Sequence, residues 1–228
     1  MPLAQLRVAS LLSLFFIVFA SPAMAQSKEL KRAENAIAVL TEVQGTPDSE
    51  IPDWLLDRCY AIAVIPEVVK AGFVVGGRRG KGLVSVRSAD GTWSHPSYIT
   101  MTGGSFGFQA GVQSSDVILV FRTQRGVDNL IHGKFTLGAD ASVAAGPVGR
   151  QASAATDAAL KAEIISYSRS RGLFAGVALD GSALTIDDDA NERVYGDATP
   201  RMVFEGRVER VPEAIVRFRD QLEEQTAK

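Results

Sequence analysis

Cysteine occurs once in the 228 residues, at Cys59, so no disulfide can form within the chain. Histidine occurs twice, as His95 and His132, and with one cysteine that is too few ligands for a zinc site. Net charge is nearly absent: 24 Lys and Arg face 26 Asp and Glu, giving −2. Such a chain is not a generic nucleic-acid binder, and attraction to an anionic surface must come from a local patch. After Ala20 no apolar run approaches the ~18 residues that a membrane span needs. Low-complexity segments, long linkers and fixed-period repeats are also missing, which excludes a solenoid. Cys59 itself stands in Leu55-Leu56-Asp57-Arg58-Cys59-Tyr60-Ala61, a setting for a buried small apolar residue rather than a reactive thiol.

One long apolar run is present, Val8 to Ala20, with Arg7 before it and Ala23-Met24-Ala25 after it. A charged end, an apolar stretch and an A-x-A site predict a signal peptide over residues 1–25, cleaved after Ala25. The run is too short and too early for a spanning helix, and no cysteine stands at the cleavage site for lipid attachment. The expected location is periplasmic or extracellular.

The full chain of 228 residues is 46% hydrophobic, enough for one packed core. Its centre is Gly103 to Phe121. Phe106, Phe108, Ala110 and Val112 alternate with Ser105, Gly107, Gln109 and Gly111, the period of a half-buried strand. Ser114-Ser115-Asp116 offers turn chemistry, and Val117 to Phe121 is a strand apolar on both faces. Together these predict a central hairpin.

In chain order, Ser27 to Gln44 reads as an amphipathic helix, with Leu30, Ala33, Ile37 and Leu40 at spacings of three and four. A short helix follows around Trp54, Leu55 and Leu56, capped by Asp48 or Ser49. Tyr60 to Ile65 is a strand that Pro66 to Lys70 breaks. Gly72 to Gly77 is the next strand, Arg78-Arg79-Gly80-Lys81-Gly82 a basic glycine-rich turn, and Leu83 to Arg87 a returning strand before the hairpin signal Asp90-Gly91. Val127 to His132 supplies one or two helical turns. Phe135 to Val143 alternates as a strand, and Asp157 to Ser168 suits strand or helix. Gly172 to Asp180 and Ser182 to Ile186 are strands, Asp187 to Gly196 an acidic loop, and Pro212 to Thr226 a helix. The expected fold is α+β: an antiparallel sheet, sandwich or partly closed barrel of many short strands, with helices at both ends.

Gly103-Gly104-Ser105-Phe106-Gly107 matches G-x-S-x-G, but a nucleophile elbow needs a helix after the serine, and an alternating strand follows here. A serine hydrolase at Ser105, with His95 or His132 as base, is thus a remote alternative. Gly76 to Gly82 is not a phosphate loop, since Gly82 stands where Ser or Thr must hold magnesium. Asp187-Asp188-Asp189 resembles half a calcium loop but has Glu192 at the glycine position and Ala198 where the bidentate Glu belongs. No metal or cofactor is expected. Arg78, Arg79 and Lys81 on one turn suit lipid phosphates, each cation near an anionic surface contributing about 1 kcal/mol. Lys28, Lys31 and Arg32 beside the apolar stripe suit an interfacial helix. Arg122, Arg125, His132 and Lys134 form a further basic group, and Arg169 with Arg171 another.

Longer blocks carry a family resemblance. Cys59-Tyr60-Ala61-Ile62-Ala63-Val64-Ile65-Pro66, Lys70-Ala71-Gly72-Phe73-Val74-Val75-Gly76-Gly77-Arg78, Gly103 to Gln109, Asp116 to Phe121, and Ser166 to Gly176 with Leu179 to Ser182 resemble the SYLF domain, a lipid-binding or actin-associated domain. The likeness covers about Trp54 to Gly196. It implies residues 26–53 as an N-terminal helical segment, 54–196 as the core domain and 197–228 as a C-terminal extension. It also implies lipid binding through basic residues and an amphipathic N-terminal helix, without catalysis. Exported bacterial members look like this chain. With an export signal, actin is not an expected partner.

The reading is a non-enzymatic exported module binding anionic lipid or a membrane surface. The tentative contacts are Arg78, Arg79, Lys81, Lys28, Lys31, Arg32, Arg122, Arg125 and Lys134. The alternative is an envelope protein that binds a protein partner or itself.

Overall fold

The computed structural model describes residues 22–45, 50–72, 75–106, 111–133, 135–148, 161–170 and 173–226. Nine strands form one mixed sheet, curled as a half-barrel. They are β1 (Ala61–Gly72), β2 (Val75–Val86), β3 (Ser97–Phe106), β4 (Gly111–Phe121), β5 (Phe135–Thr136), β6 (Val143–Ala145), β7 (Ile164–Ser170), β8 (Leu173–Gly176) and β9 (Ser182–Ile186). Their order is β5-β9-β3-β2-β1-β4-β7-β6, with β8 on β7, and every pair is antiparallel except β6 with β7. The helices are α1 (Pro22–Gln44), α2 (Asp53–Leu56), α3 (Gln124–Ile131), α4 (Asp188–Tyr195), α5 (Pro200–Phe204) and α6 (Glu213–Thr226). The α+β expectation holds.

Side chains alternate across a strand, so the apolar strands feed two cores. Ile62, Val64, Leu83, Tyr98, Ile118, Val120 and Tyr167 point to a face covered by α1, α4 and α6, where they meet Ala33, Ala36, Leu40, Ile215 and Phe218. Ala61, Ala63, Ile65, Val84, Ile99, Met101, Leu119 and Phe121 point the other way, to Val127 and Leu130 of α3 and to Phe135, Leu137 and Leu184. The helix α1 forms because Ala33, Ala36, Val39, Leu40 and Val43 recur on one side while Lys28, Lys31 and Glu34 stay exposed. Its first turn includes the expected cleavage point after Ala25. The apolar run before it lies outside the described residues, and among the described residues no helix is long and apolar enough to cross a membrane.

Several local expectations are overturned. There is no hairpin within Gly103 to Phe121: β3 pairs with β2 and β9, and β4 with β1 and β7. Ser114 to Asp116 stay extended inside β4, while Phe108 and Ala110 lie outside the described residues. Pro66 to Lys70 do not break the strand. They form a bulge in β1, where the register shifts against both neighbours and Glu67 takes a φ of 51°. The Glu67 N–H donates to Asp116 Oδ1 at 2.9 Å, which pins the bulge to β4. Arg78 to Gly82 are not a turn but the middle of β2. The glycines there answer the bulge, since a Cβ on Gly80 would meet Ile65 Cγ2 and Val68 Cγ2 at 2.7 Å.

The expected strand from Phe135 stops after Thr136, because a turn with Gly138 at φ 86° intervenes. The expected acidic loop is the helix α4, capped by Asp187, whose side chain accepts from the Ala190 N–H. The strand expected from Gly172 to Asp180 is only Leu173–Gly176, Gly172 lying outside the described residues. The ambiguous segment resolves as β7 from Ile164, with residues 157–160 outside the described set. The short helix α2 follows Pro52, not Asp48 or Ser49.

Candidate functional site

The N-terminal half of α1 lies over β2 and β3, and its basic residues meet the sheet there. Tyr98 Oη donates to the Glu29 carbonyl at 3.0 Å. The Glu29 side chain is 3% exposed and takes Arg193 Nη2 at 2.9 Å and Arg32 Nη2 at 2.8 Å. Arg32 also stands 5.5 Å from the Tyr98 ring centroid and 3.8 Å from Asp187 Oδ2. Lys81 Nζ donates to Asp187 Oδ2 at 2.7 Å. Burial pushes the Asp187 carboxyl up. The hydrogen bond and charge of Lys81, the Ala190 N–H and the charge of Arg32 together outweigh it, so the group titrates below its ordinary value.

This network separates the predicted cations into two kinds. Arg32 and Lys81 already hold carboxylates. Lys28 and Lys31 are exposed and hold none among the described residues. All four line one open cleft of about 330 Å³, with Pro66 and Glu67 opposite. Arg79 is exposed two residues before Lys81 on the same face of β2. Beyond α1 that face continues as bare sheet: Val69, cross-strand from Arg79, is 42% exposed, and Val112 is 75% exposed.

Arg78 does not join them. As the next residue on a strand it points to the opposite face. Arg122 and Arg125 sit at the far end of the sheet. Val69 and Ala61 mark the two ends on β1, eight residues apart and about 25 Å. Arg122 Nη1 donates to the Ala162 carbonyl at 3.1 Å and Arg125 Nη2 to the Asp140 carbonyl at 3.3 Å. Arg169 binds Asp116 through Nε at 2.8 Å and also contacts Glu42. Lys134 and Arg171 lie outside the described residues. The basic groups therefore do not converge. Sequence reasoning missed Glu29 and Asp187, the two acids that organise the cleft; the D-x-x-x-N spacing of a capped helix start was the available signal for Asp187.

Ser105 pairs with Gly76 inside β3, not at a strand-to-helix turn, so the elbow context is unmet. Among the described residues no three His, Cys, Asp or Glu side chains cluster as metal ligands. Cys59 is 3% exposed, its thiol donates to the Leu56 carbonyl at 3.1 Å, and burial pushes its pKa up to about 12. The expected result is no reaction with a disulfide reagent at pH 8 in the native protein and full reaction in urea. Rapid native labelling would contradict this burial.

One curled sheet, a helix laid across it with Lys28, Lys31 and Arg32 near its start, and a second helix packed beside the first define the class: a single-sheet α+β domain whose polar side chains serve ion pairs and caps. The model of the Ysc84 family, described as Las17-binding protein actin regulator, matches residues 102–225. The chain belongs to this family, the SYLF-domain proteins. It is 42% identical over 172 residues to LAS seventeen-binding protein 3 of Saccharomyces cerevisiae, covering 74% of this chain and 37% of that protein. Protein YSC84 of the same yeast is 42% identical over 171 residues, 73% of this chain and 36% of its own. Human SH3 domain-containing YSC84-like protein 1 is 36% identical over 170 residues, 73% and 49%. The chain thus spans less than half the length of each of these relatives.

Proposed function

We propose that this protein is a non-enzymatic module that docks on anionic lipid surfaces through the α1 face. The observation that carries this is the gathering of Lys28, Lys31, Arg32 and Lys81 around one cleft, with Arg79 beside it. Lys28, Lys31 and Arg79 supply the attraction, because they are exposed and make no ion pair among the described residues. Arg32 and Lys81 shape the cleft. The exposed Val69 and Val112 give the same face apolar area to press against an interface. The proposal includes export, on the strength of Arg7, the run Val8 to Ala20 and Ala23-Met24-Ala25.

The test is co-sedimentation with neutral and with anionic vesicles at low and high salt. Binding only to anionic vesicles, fading as salt shortens the screening length, is the expected result. The Lys28/Lys31/Arg79→Ala triple variant should lose about 3 kcal/mol, roughly a hundredfold in affinity. Equal binding by the variant would sink the proposal.

A protein partner is the second reading. One yeast relative is named LAS seventeen-binding protein 3, and β4 from Gly111 to Ser115 has β1 as its one strand neighbour among the described residues, with Val112 75% exposed. Association that persists at high salt and follows Val112 rather than the lysines would favour it.

A further inference from the structure

Two strands flank β4 over only part of its length. β7 pairs with it from Asp116 to Phe121, whereas β1 pairs with it as far as Gly111. Main-chain groups alternate between the two sides of a strand. The Tyr60 N–H donates to the Phe121 carbonyl, which turns Phe121 toward β1, and the Arg122 N–H donates to the Glu163 carbonyl on the β7 side. Counting back in twos from Phe121, the groups of Ser115, Gln113 and Gly111 also turn toward β1. Val112 and Ser114 turn their N–H and C=O groups outward, where no strand receives them among the described residues.

This edge lacks the devices that keep strand edges apart, which are very short strands, lysine, proline and bulges. The outermost strands do use one of them, since β5 has two residues and β6 three. Gly111-Val112-Gln113-Ser114-Ser115 has no charge and no proline, and the bulge opposite it belongs to β1. Gly111 to Ser114 are all exposed. The stretch is also its own complement. About a two-fold axis through Gln113, Val112 faces Ser114 of a second copy, and the outward N–H of each meets the carbonyl of the other. Only neutral side chains are set opposite one another, so no like charges oppose the pairing. That self-matching singles out a second copy over a foreign strand, which needs only a free edge.

We propose that β4 pairs antiparallel with β4 of a second copy through Gly111 to Ser115, joining two sheets into one. The inference rests on the partner reading of this edge and names its occupant. A two-fold contact of this kind uses the same edge in both copies, so it closes at a dimer. Paired residues of an antiparallel ladder share a face. Val112, cross-strand from Ala71, lies on the α1 face, so both copies present α1, Lys28, Lys31 and Arg79 on the same side of the joined sheet. The paired stretch is only about 17 Å long, which sets a weak dimer with a Kd on the order of 10–100 μM.

The test is sedimentation velocity of the full chain without vesicles, at low and high salt, over about 1 to 300 μM. A monomer–dimer equilibrium that salt does not weaken is expected, because main-chain hydrogen bonds carry it. Val112→Lys should weaken dimerisation about tenfold or more at unchanged melting temperature, since it charges a side chain that the monomer leaves exposed. Ser114→Pro should do the same, because the N–H it removes points outward. Oxidation reads the register. In the Gln113→Cys variant the cysteines meet on the axis, with Cα atoms about 4.5 Å apart, and should form a covalent dimer. In Ser115→Cys they stand about 13 Å apart along the strand and should form none. Cys59 is buried and takes no part. A monomer at every concentration, a dimer that persists in both folded edge variants, no cross-link through Gln113→Cys, or equal cross-linking through Ser115→Cys would overturn the proposal. Its failure is distinct from that of the readings above. Vesicle binding decides the lipid reading, and salt-resistant association with another protein by a chain that stays monomeric alone would keep the partner reading while excluding the second copy.

Discussion

Gly82→Ala is expected to lower stability by about 3 kcal/mol or more, read as an earlier urea midpoint at unchanged slope. A Cβ at Gly82 would stand 2.2 Å from the Val64 carbonyl oxygen and 2.7 Å from the Ile65 Cα. Both are backbone atoms of β1 at the edge of its bulge, and β1 is held on its other side by β4. Neither can swing aside as a side chain would, so relief requires β1 and β2 to separate in the middle of the sheet. Gly80→Ala is the control. Its Cβ would meet Ile65 Cγ2 and Val68 Cγ2, both side-chain ends that can turn, and the cost should stay near 1–2 kcal/mol. Equal and small effects at both positions would show that the bulge does not press on β2 as described. The bulge matters to the surface as well, because Pro66 and Glu67 form the wall of the cleft facing Lys28 and Lys31.

The same glycines show where sequence reading stopped. In Arg78-Arg79-Gly80-Lys81-Gly82 they look like turn residues, because glycine is rare inside strands. They are there because a neighbouring strand bulges toward them, which is a long-range fact. The continuous apolar runs Tyr60 to Ile65 and Val117 to Phe121 were legible as strands, since a short apolar run bounded by polar or turn residues is a local signal. Their pairing was not, since Ser114 to Asp116 carry turn chemistry that a central strand with two neighbours overrides for Asp116. The cations of the site were legible as residue types. Their division between two faces was not: a turn places Arg78, Arg79 and Lys81 together, whereas a strand sends Arg78 away from the other two. Asp187 was masked by its own neighbours, since three consecutive aspartates resemble a metal loop more than a helix cap.

Asp187→Ala is expected to cost about 3 kcal/mol at pH 7, within the range for removing one partner of a buried ion pair and including about 1 kcal/mol for a lost helix cap. The Ala190 N–H loses its side-chain acceptor, Lys81 loses its ion pair, and Arg32 loses the charge at 3.8 Å. The pH dependence follows from the depressed pKa. A carboxyl that titrates lower in the folded than in the unfolded state stabilises fully above its unfolded value, about 3.9. That stabilisation is lost as the pH falls through the folded value. The gap between wild type and Asp187→Ala should therefore be widest at neutral pH and shrink below pH 4. A gap that is constant from pH 7 to pH 3 would mean that the ion pair contributes nothing. Asp187→Asn separates stability from function, since it keeps the shape and a cap acceptor while removing the charge. If the α1 face docks on anionic lipid, freeing Lys81 alone should strengthen vesicle binding by about 1 kcal/mol, several-fold, even as the fold weakens. Unchanged vesicle affinity in a folded Asp187→Asn would confine Lys81 and Arg32 to structure, and leave any surface attraction to Lys28, Lys31 and Arg79.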